Sequence, residues 1–443
     1  MLGIIKKIIP KPIFQFLQPI YHYSLAVLGA LIYDFPSKKL IVVGVTGTKG
    51  KTTTTELVNA ILEEASYKTA LASTLRFKIG EKEERNFFKM TMPGRFFMQK
   101  FLREAVKANC SHAVIEMTSE GAKQFRHKFI SLDALIFTNL APEHIESHGS
   151  YENYVQAKLN IARELEKNST KKCLVEPERA TRGLFEENFS PVLLVNKDDK
   201  EAEKFLALNI KNKIPYSLSD AIGIKTDENG SSFQIDKMVI HSKLPGIFNV
   251  SNMLGAIAYA KFAKISEEII KKALENINFI KGRMEKIDLG QEFDVVVDYA
   301  HTPDSLKAVY ETYSSTSSPQ VKKSLICVLG NTGGGRDKWK REEMGKIADE
   351  YCSEIILTNE DPYDEDPRKI LEDIKKGIVN KPVEIIMDRR NAIYTAISRA
   401  KSGGAVLITG KGTDPYIMGP NGSKQEWDDA TVAREELQKI LKK

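Results

Sequence analysis

The sequence predicts an α/β protein in which a central domain has a mostly parallel sheet flanked by helices and a second α/β domain follows. Three observations predict this fold. Apolar strand-like runs alternate with helical patterns from residue 39 to residue 280, a glycine-rich segment ending in Gly50-Lys51-Thr52 follows the first strand, and a second alternation begins near Gly282. Such alternation is typical of parallel sheets, because each crossover between parallel strands uses a helix.

A short apolar segment comes first in the chain. Its apolar run, residues 13–33, follows Lys6, Lys7 and Lys11 and is interrupted by polar residues. No small-residue cleavage site is evident, and residues 20–33 fall short of the ~20 that a spanning helix needs, so neither a signal peptide nor a membrane span is expected. Two interpretations stay open: a helix docked on the protein's own surface, or an interfacial anchor whose lysines face lipid phosphates.

The first clear strand, residues 40–45, leads into a glycine-rich segment that reads Gly44-Val45-Thr46-Gly47-Thr48-Lys49-Gly50-Lys51-Thr52-Thr53. Glycines let backbone N–H groups turn toward phosphate oxygens at a helix N-terminus, Lys51 can reach the β- and γ-phosphates, and the Thr52 hydroxyl can ligate Mg²⁺. Val45 stands where the usual spacing has glycine, so the pattern is a variant. We predict a P-loop ATPase domain whose nucleotide-binding residues include Thr48, Lys49, Gly50, Lys51, Thr52 and Thr53.

The other elements of this domain follow from the same patterns. Predicted strands cover 112–117, 134–139 and 191–195, and predicted helices cover 52–65, 95–108, 151–165 and 249–263. Between residues 225 and 245, the turn Asp227-Glu228-Asn229-Gly230 separates two short alternating runs and predicts an inserted antiparallel hairpin.

The second α/β domain is predicted to be Rossmann-like. Its strands are predicted at 294–298, 324–329, 354–357, 384–387 and 405–408. In such sheets ligands bind beyond the carboxyl ends of the strands. Because 443 residues are too many for one core, we predict a helical extension at 1–38, the ATP-binding domain at 39–281 and the second domain at 282–443.

Composition excludes several classes of protein. With 42% hydrophobic and 28% charged residues the chain is typical of a soluble globular protein, and a net charge of +6 suits anionic small molecules. No basic stripe with interleaved aromatic residues is present, so nucleic acid is not an expected partner. The isolated residues Cys110, Cys173, Cys327 and Cys352 argue against a zinc site or a disulfide framework and favour a reducing cytoplasm.

Candidate catalytic side chains follow two further strands. Glu116 stands at the end of the predicted strand 112–117, where a carboxylate beside a phosphate-binding loop can hold Mg²⁺. The next strand ends in Thr138-Asn139-Leu140-Ala141-Pro142-Glu143-His144, and the helix after it carries Tyr154 and Lys158. A single loop histidine is ordinarily a surface residue, so His144 becomes a candidate only through the motifs around it.

Together these motifs resemble the Mur ligase family, and within it the enzymes that add the third amino acid to UDP-N-acetylmuramoyl-dipeptide. The matches occur in family order over roughly residues 40 to 435. They are residues 44–53, Glu116 with Thr118-Ser119 and Arg126, residues 138–144 with His148-Gly149 and Lys158, residues 244–252, Gly282-Arg283-Met284-Glu285, Asp298-Tyr299-Ala300-His301-Thr302-Pro303 and Gly410-Lys411-Gly412.

The resemblance implies an ATP-dependent ligase of peptidoglycan precursor synthesis. A substrate carboxylate would attack the γ-phosphate of ATP to give an acyl phosphate, and an amine would then displace phosphate to form the amide. Two Mg²⁺ ions are implied, one served by Thr52 and Glu116 and the other by His144 and Lys158. The lysine at the position of Lys158 is typically carbamylated in the family. The implied catalytic residues are Lys51, Glu116, His144 and Lys158.

Further nucleotide contacts are implied in both domains. Asn249 and Asn252 match the adenine contacts of the family. Arg283, Asp298 and His301 match the ATP contacts of the second domain, so that closure of the two domains would complete the site.

The family's acceptor-binding pattern is kept in part. Thr91-Met92-Pro93 resembles the Thr-Thr-Pro substrate loop, and Thr118, Ser119 and Arg126 are the other implied contacts. Glu120 stands where the family usually has histidine. The short apolar segment takes the place of the family's N-terminal uridine-binding domain.

The identity of the amino acid is open. Family members that select meso-diaminopimelate carry Asp-Asn-Pro-Arg, whose arginine grips the distal carboxylate, whereas this chain has Glu360-Asp361-Pro362-Tyr363. Loss of the arginine and gain of acids favour L-lysine or another diamine that lacks the extra carboxylate. Alternatively, Arg336 or Arg368 supplies the grip. The implied amino-acid contacts are Arg336, Asp361, Tyr363, Lys411 and Asp414.

Two other functions compete with this one. They are a folylpolyglutamate synthase-like ligase, which also lacks the uridine-binding domain, and a membrane-tethered nucleotide-binding homologue without catalysis. The segments 282–285 and 298–303 are closer to the muramyl enzymes. The expected partners are a muramoyl peptide acceptor and an amino acid, and the expected location is the cytoplasm, with at most a weak contact of residues 1–38 with the inner face of the membrane.

Overall fold

The computed structural model describes residues 11–143, 145–168, 170–175, 185–314 and 323–442. The chain divides into two compact units. The first contains Met1–Ala141, Tyr151–Leu218 and Asn252–Ile270, and the second contains Pro142–Ser150, Ser219–Ser251 and Lys271–Lys443. The sequence-based domain bounds, 1–38, 39–281 and 282–443, remain a prediction.

The strands are numbered in chain order. They are β1 Ile41–Thr46, β2 Thr69–Ala72, β3 Arg76–Ile79, β4 Lys82–Arg85, β5 His112–Met117, β6 Ala134–Phe137, β7 Lys171–Val175, β8 Phe185–Phe189, β9 Val192–Asn196, β10 Asn212–Tyr216, β11 Ile222–Asp227, β12 Gly230–Ile235, β13 Met238–Ser242, β14 Glu285–Lys286, β15 Asp294–Asp298, β16 Leu325–Leu329, β17 Glu354–Leu357, β18 Val383–Ile385, β19 Ala405–Thr409, β20 Tyr416–Met418 and β21 Lys424–Glu426.

The helices are numbered in the same way. They are α1 Lys11–Ile32, α2 Lys51–Glu64, α3 Arg95–Lys107, α4 Ser119–Lys123, α5 Ile145–His148, α6 Tyr151–Ala162, α7 Ala202–Leu206, α8 Ile247–Phe262, α9 Glu267–Asn276, α10 Pro303–Ser314, α11 Lys340–Tyr351, α12 Pro367–Lys375, α13 Arg389–Arg399 and α14 Asp429–Leu441. Short 3₁₀ turns lie at Pro36–Lys39, Leu165–Lys167, Leu218–Asp220 and Pro420–Gly422.

The first unit is built on an eight-stranded sheet in the order β10-β9-β6-β1-β5-β2-β3-β4. Neighbouring strands run parallel from β10 to β2, and β3 and β4 add an antiparallel edge. Every residue of β1, β5 and β9 is buried, as expected of parallel strands covered on both faces. The mostly parallel sheet predicted for the ATP-binding domain is confirmed.

The second unit has a six-stranded sheet in the order β14-β15-β19-β16-β17-β18. Its strands are parallel except for the short edge strand β14. The α/β character predicted for the second domain is confirmed. The predicted hairpin at 225–245 is instead a three-stranded antiparallel sheet, because a second turn after β12 adds β13 beside it.

The sequence patterns do not predict β3 and β4. Strand β4 reads Lys-Glu-Glu-Arg and its first three side chains are exposed, since it lies at the edge of the sheet. An edge strand of this kind carries no apolar alternation, and charged side chains are a common means of protecting an exposed edge.

One cysteine pair contradicts the expectation from sequence. Cys327 in β16 and Cys352, directly after α11, form a disulfide bond, and both side chains are buried. The crossover through α11 returns the chain beside β16, where Glu354 of β17 lies opposite Ile326. The prediction that the isolated cysteines form no disulfide is therefore wrong for this pair, because 25 residues of sequence separate two neighbours in space.

Helix α1 packs along one face against α3. Ala26 and Ala30 are buried in this contact, and Gly29 faces the backbone of Phe96. The ring of Tyr23 contacts the ring of Phe129, with centroids 5.5 Å apart. Among the described residues, no helix combines the length and the apolar character needed to cross a bilayer.

Candidate active site

The register of the first sheet brings three loop starts together. Val45 of β1 lies opposite Glu116 of β5, and Thr46 lies opposite Phe137 of β6. Since all three strands are parallel, the glycine-rich loop, Glu116 and Thr138 emerge at the same edge of the sheet. Ligands of such sheets bind at the carboxyl ends of the strands.

Two glycines shape the loop. Gly47 and Gly50 both have positive φ, at 154° and 78°. A Cβ atom at Gly47 would overlap the hydroxyl of Thr138, and one at Gly50 would overlap Oδ1 of Asn252. Both close approaches require glycine, and the loop ends at the start of α2, where the N–H groups of a helix N-terminus can bind a polyphosphate.

Two lysines converge on one carbonyl of this loop. Nζ of Lys51 donates to the carbonyl oxygens of Gly47 at 3.0 Å and Thr48 at 2.8 Å. Nζ of Lys158, which projects from α6, donates to the same Gly47 oxygen at 2.6 Å. Lys158 is buried, and its Nζ lies 5.0 Å from the centroid of the Tyr154 ring. Positive charge is thus concentrated where phosphate oxygens would lie.

Thr52 and Glu116 form a pair of oxygen donors. The Thr52 hydroxyl donates to Oε2 of Glu116 at 3.1 Å, and the backbone N–H of Thr74 donates to the same oxygen at 2.8 Å. Both side chains are buried. Hydroxyl and carboxylate oxygens at the start of a phosphate-binding helix are suitable ligands for Mg²⁺, so the residues present fit that ion.

The second predicted metal position is only partly described. His144 lies outside the described residues. Among the described residues, no group of three or more His, Cys, Asp and Glu side chains is placed to hold a metal ion.

Hydrogen bonds to residues of α6 and of the segment after β6 fix the other residues of the glycine-rich loop. The hydroxyl of Thr48 is 2.7 Å from the hydroxyl of Tyr154, and the N–H of Lys49 donates to Oδ1 of Asn139 at 2.8 Å. Thr138 donates to the carbonyl oxygen of Lys49 at 2.6 Å. Thr53 is buried in the first turn of α2. These contacts fix the loop to β6 and α6.

The two predicted adenine contacts lie on α8. Oδ1 of Asn252 accepts a hydrogen bond from Thr54 at 3.4 Å and lies against Gly50, so it belongs to the loop's surroundings. Nδ2 of Asn249, in the second unit, donates to the carbonyl of Pro245 at 2.8 Å.

The predicted acceptor contacts lie near the Glu116 side of the loop. The hydroxyl of Thr91 is 2.7 Å from that of Thr74, whose N–H binds Glu116. Arg126 donates to the carbonyl oxygen of Met92 and, at 2.7 Å, to Oε1 of Gln124.

Arg126 and the start of α4 complete this group. Burial lowers the pKa of the Arg126 guanidinium, which favours an anionic partner. Thr118 caps α4 by accepting from the N–H of Gly121 at 3.1 Å, and Ser119 is buried beside it.

In the second unit, Asp298 holds the end of β15. Its carboxylate accepts from the N–H groups of Ala300 at 2.7 Å and Met284 at 2.8 Å. The guanidinium of Arg283 stacks on the ring of Tyr299, 4.6 Å from its centroid. Asp298 therefore orders the turn that presents Arg283 and the residues after Tyr299.

His301 bridges two acceptors of the second unit. Its Nδ1 lies 2.7 Å from the carbonyl oxygen of Tyr299, and its Nε2 lies 3.0 Å from Oε1 of Glu143. Both nitrogens donate if the ring is protonated, and the Glu143 contact is then an ion pair.

A buried charge cluster lies beyond β19. Nζ of Lys411 is 2.9 Å from Oδ1 of Asp361 and 3.2 Å from Oδ2 of Asp414. It also donates to the carbonyl oxygen of Tyr416 at 2.5 Å. Two carboxylates thus lie within ion-pair distance of one ammonium.

Glu360 adds a further acid to this edge of the sheet. Its Oε1 accepts from the Thr332 hydroxyl at 2.7 Å, whereas its buried Oε2 has no hydrogen-bond partner in the part of the chain that the structure describes. Burial, and then the neighbouring Asp361, raise the pKa of the Glu360 carboxyl. A buried carboxyl oxygen without a hydrogen-bond partner is a candidate for a substrate contact.

Arg336 and Arg368, the two arginines considered as alternative contacts for a distal carboxylate of the amino acid, are both exposed. Arg336 follows the glycine run 333–335, and Arg368 lies on α12. Tyr363, which replaces the expected arginine, is half-buried with φ of 53°, and its N–H donates to the carbonyl of Met418 at 3.1 Å.

Sequence reasoning missed three contacts of the site. The N–H of Thr74 binds Glu116, the hydroxyl of Tyr154 supports Thr48, and Glu143 meets His301. The hydroxyl pair Ser73-Thr74 directly after a strand-like run was the available signal for the first. The other two depend on long-range contacts that spacing does not encode.

A P-loop at the end of β1, a magnesium-type oxygen pair and a second α/β unit define an enzyme that acts on a nucleoside triphosphate. Residues 45–260 match the Mur ligase middle domain, and residues 282–412 match the Mur ligase glutamate ligase domain. A relative from Syntrophomonas wolfei subsp. wolfei, named UDP-N-acetylmuramoyl-L-alanyl-D-glutamate--2,6-diaminopimelate ligase, is 36% identical over 434 residues, which are 95% of this chain and 82% of the relative.

Solved structures of ligases have a similar fold. One titled as a UDP-N-acetylmuramoyl-L-alanyl-D-glutamate--2,6-diaminopimelate ligase is 27% identical with a TM-score of 0.59 and covers 90% of this chain and 78% of its own. Folylpolyglutamate synthase from Mycobacterium tuberculosis has a TM-score of 0.67 and covers 94% of both chains, but at 14% identity this is a likeness of fold alone.

The chain belongs to the Mur ligase family. It is an ATP-dependent amide-forming ligase, and enzymes of this family need Mg²⁺.

Proposed function

We propose that this ligase adds the third amino acid of the stem peptide to a UDP-N-acetylmuramoyl-dipeptide acceptor, through an acyl phosphate, in peptidoglycan precursor synthesis. The observation that carries the proposal is the convergence of Lys51 and Lys158 on the Gly47 carbonyl oxygen beside the Thr52–Glu116 pair. The names of the 36%-identical relatives support the acceptor.

Each residue of the first unit has a role in this proposal. Lys51 neutralises the β- and γ-phosphates, and the N–H groups of residues 50–53 orient them. Thr52 and Glu116 would hold one Mg²⁺, and His144 with Lys158, if carbamylated, would hold a second. When bound, these ions supply positive charge to the transferring phosphoryl group and to the attacking carboxylate.

The remaining predicted residues are assigned to the three substrates. Asn249 and Asn252 serve the adenine, and Arg283, Asp298 and His301 serve the rest of ATP. Thr91, Thr118, Ser119 and Arg126 serve the acceptor, with the Arg126 guanidinium binding one of its anionic groups. Lys411, Asp361, Asp414, Tyr363 and Arg336 serve the incoming amino acid.

The amino acid is proposed to be L-lysine or a similar diamine without a second carboxylate. The support is the acidic character of the site: Asp361 and Asp414 lie beside Lys411, and Glu360 adds a buried carboxyl whose Oε2 has no hydrogen-bond partner among the described residues. A cationic side chain suits this surplus of acid better than a carboxylate does.

The experiment that tests the function measures phosphate release and product mass with UDP-N-acetylmuramoyl-L-Ala-D-Glu as acceptor. We expect release to require both acceptor and amino acid, with Lys51→Met inactive. Turnover of a reduced folate polyglutamate instead would favour the folate enzyme. Nucleotide binding without turnover on any acceptor would favour a non-catalytic homologue.

The choice of amino acid needs a separate competition. We expect L-lysine to be used in preference to meso-diaminopimelate, and Tyr363→Arg to shift the preference toward meso-diaminopimelate, because a guanidinium can pair with the distal carboxylate in bidentate fashion. Preferential use of meso-diaminopimelate by the unaltered enzyme would contradict the lysine proposal while leaving the ligase function intact.

The proposed place of work is the cytoplasm, where the nucleotide-linked acceptor and ATP are available. We propose further that residues 1–38 make a peripheral contact with the inner face of the membrane. The support is the apolar character of this segment and its lysines.

A further inference from the structure

Between residues 17 and 32, α1 exposes an outward face that is apolar except for Ser24. At 100° per residue, seven of the exposed side chains lie within a stripe about 120° wide, whereas the exposed Gln18, Pro19 and Tyr23 lie outside it. We call this the outer stripe; its members are Leu17, Ile20, Tyr21, Ser24, Leu28, Leu31 and Ile32. It contains no charged side chain. A surface helix normally presents charged and polar residues to water, so an apolar outer stripe requires a covering partner.

The opposite face of α1 is already used. Ala30 is completely buried, whereas Leu31 and Ile32 are each 58% exposed. Nη2 of Arg95 lies 2.5 Å from Nδ1 of His22, which ties the helix to α3 by a polar contact as well. Because the inner face is packed on the first unit, α1 presents the outer stripe side-on, with its axis along the protein surface.

Charge indicates the partner. Residues 1–33 contain three lysines and no acidic residue. The first acid is Asp34, and it is followed by the exposed Lys38 and Lys39, the second of which lies 3.3 Å from Asp34. In the sequence, the segments before and after the outer stripe therefore both carry net positive charge. Pairing with a second copy would bring these positive ends together in either direction, whereas an anionic bilayer surface complements them.

We infer that α1 is an interfacial helix whose outer stripe binds the surface of a bilayer with anionic lipid headgroups. Leu28, Leu31 and Ile32 enter the boundary between headgroups and acyl chains, and the flanking lysines contact lipid phosphates. This inference deepens the proposed peripheral location by naming the surface and its lipid chemistry. It does not depend on which amino acid the ligase adds.

The test is vesicle flotation of the full-length chain. We expect binding to vesicles of equal parts phosphatidylglycerol and phosphatidylcholine, and little binding to pure phosphatidylcholine or at high salt. The double variant Leu31→Gln with Ile32→Gln should bind at least about tenfold more weakly. The matched control, Ile222→Gln with Val379→Gln, changes apolar residues that are 69% and 82% exposed elsewhere and should bind like the unaltered chain.

The lysines are tested separately. Lys6→Gln with Lys7→Gln should weaken binding to the anionic vesicles roughly fivefold for each lysine, with no effect on pure phosphatidylcholine. Thermal unfolding and ligase turnover without vesicles should be unchanged in every variant, which separates loss of membrane binding from misfolding and from failure of the proposed function. Equal binding by the outer-stripe variant, or no binding by the unaltered chain, would overturn the inference. Self-association that the outer-stripe variant abolishes, without vesicle binding, would assign the stripe to a second copy instead.

Discussion

One carboxylate oxygen of Glu116 accepts hydrogen bonds from two different elements of the first unit. Its Oε2 receives the hydroxyl of Thr52, which starts α2, and the N–H of Thr74, which follows β2. A buried carboxylate held by two donors is fixed in direction before any ion arrives. Such preorganisation reduces the cost of assembling a metal site.

Glu116→Gln is expected to impair catalysis without unfolding the chain. The amide keeps the shape of the side chain but removes the negative charge that favours Mg²⁺, so we expect kcat to fall about 100-fold or more and the Mg²⁺ concentration for half-maximal rate to rise. Steady-state kinetics over a Mg²⁺ series would measure both. The control is Glu56→Gln, a buried acid of α2 paired with Arg76, which should leave the Mg²⁺ dependence unchanged; an equal effect of the two variants would contradict the assignment.

A buried histidine gives the stability of the first unit a pH dependence. Burial lowers the pKa of His127 to about 4, with the nearby Glu164 opposing the shift and Lys128 and Lys167 adding to it. As the pH falls below 6.5 the unfolded chain takes up this proton first. The stability that His127 contributes above pH 6.5 is therefore lost between about pH 6.5 and pH 4, at up to about 1.4 kcal/mol per pH unit.

His127→Gln should flatten this dependence. Urea unfolding between pH 4.5 and 7 is expected to show a shallower slope of free energy against pH, by up to about 1.4 kcal/mol per pH unit. The exposed His241 provides a control, since His241→Gln should keep the slope. An unchanged slope in His127→Gln would show that this histidine titrates normally in the folded chain.

At the residue scale, sequence predicted identities better than contacts. The family resemblance implied that Thr52 and Glu116 serve one Mg²⁺ together, and the structure places Thr52 Oγ1 3.1 Å from Oε2 of Glu116. The contact between Glu143 and His301 was not expected. Their separation of more than 150 residues carries no periodicity, and only the folded chain places them together.

At the scale of elements, the loop between β1 and α2 depends on glycine for two different reasons. Gly50 has φ of 78°, which other residues adopt at a cost of roughly 1–2 kcal/mol, and Asn252 occupies the space where a Cβ would lie. Gly223 also has positive φ, at 65°, but a Cβ there would meet nothing within 4 Å. Substitution of Gly223 therefore tests backbone strain alone, whereas substitution of Gly50 tests strain together with crowding of the phosphate-binding loop.

Gly50→Ala is expected to weaken ATP binding at least about tenfold, because the methyl group displaces Asn252 and turns the loop. Gly223→Ala should lower the free energy of unfolding by about 1 kcal/mol with ATP affinity unchanged. Calorimetric titration with a non-hydrolysable ATP analogue would measure the first effect, and urea unfolding the second. Unaltered affinity in Gly50→Ala would mean that the cradle tolerates a side chain.

The disulfide ties β16 to the end of α11 and closes a segment of 25 residues. Constraining the unfolded chain in this way is worth about 3 kcal/mol. Reduction should therefore lower the free energy of unfolding by about that amount, and the variant Cys327→Ser with Cys352→Ser should lose any response to reductant. Alkylation of the unfolded, unreduced chain is expected to label Cys110 and to leave Cys327 and Cys352 unlabelled. Labelling of Cys327 and Cys352 would contradict the disulfide bond.

Elements with strong patterns were predicted closely, and those at edges were not. The strands 112–117 and 294–298 have the predicted bounds, because buried parallel strands are continuous apolar runs. Strand β4 was not predicted, since an exposed edge needs no apolar residue. The third strand of the antiparallel sheet was missed because its turn at Asp236, with φ of 48°, contains no glycine.

At the scale of the whole molecule, each unit carries its own charge at the carboxyl ends of its strands. The first unit presents Lys51 and Lys158 around the Gly47 carbonyl. The second presents Asp361 and Asp414 around one ammonium. The ammonium of Lys51 in the first unit suits phosphate, and the carboxylates of Asp361 and Asp414 in the second unit suit an amine.

If Asp414 contacts the amino acid and not ATP, its substitution should change the KM for the amino acid but not the affinity for ATP. Asp414→Asn keeps the size of the side chain but removes one of the carboxylates beside Lys411, so an incoming ammonium loses a charge-assisted hydrogen bond worth roughly 1.5–3 kcal/mol. The KM for the amino acid should rise about 10- to 100-fold. The affinity for ATP should stay the same, because the phosphates are bound by the loop of the first unit.

The exposed acid Asp288 offers a matched control in the same unit. Asp288→Asn should change neither constant. If Asp414→Asn weakened ATP binding as much as amino-acid binding, the acids beyond β19 would serve the nucleotide, and the assignment of Asp414 to the amino acid would be wrong. If only the KM for the amino acid rose, the measurement would be repeated with L-lysine and with L-alanine. A rise in KM for L-lysine alone would place Asp414 at the side-chain ammonium. An equal rise for both amino acids would place it at the α-amino group.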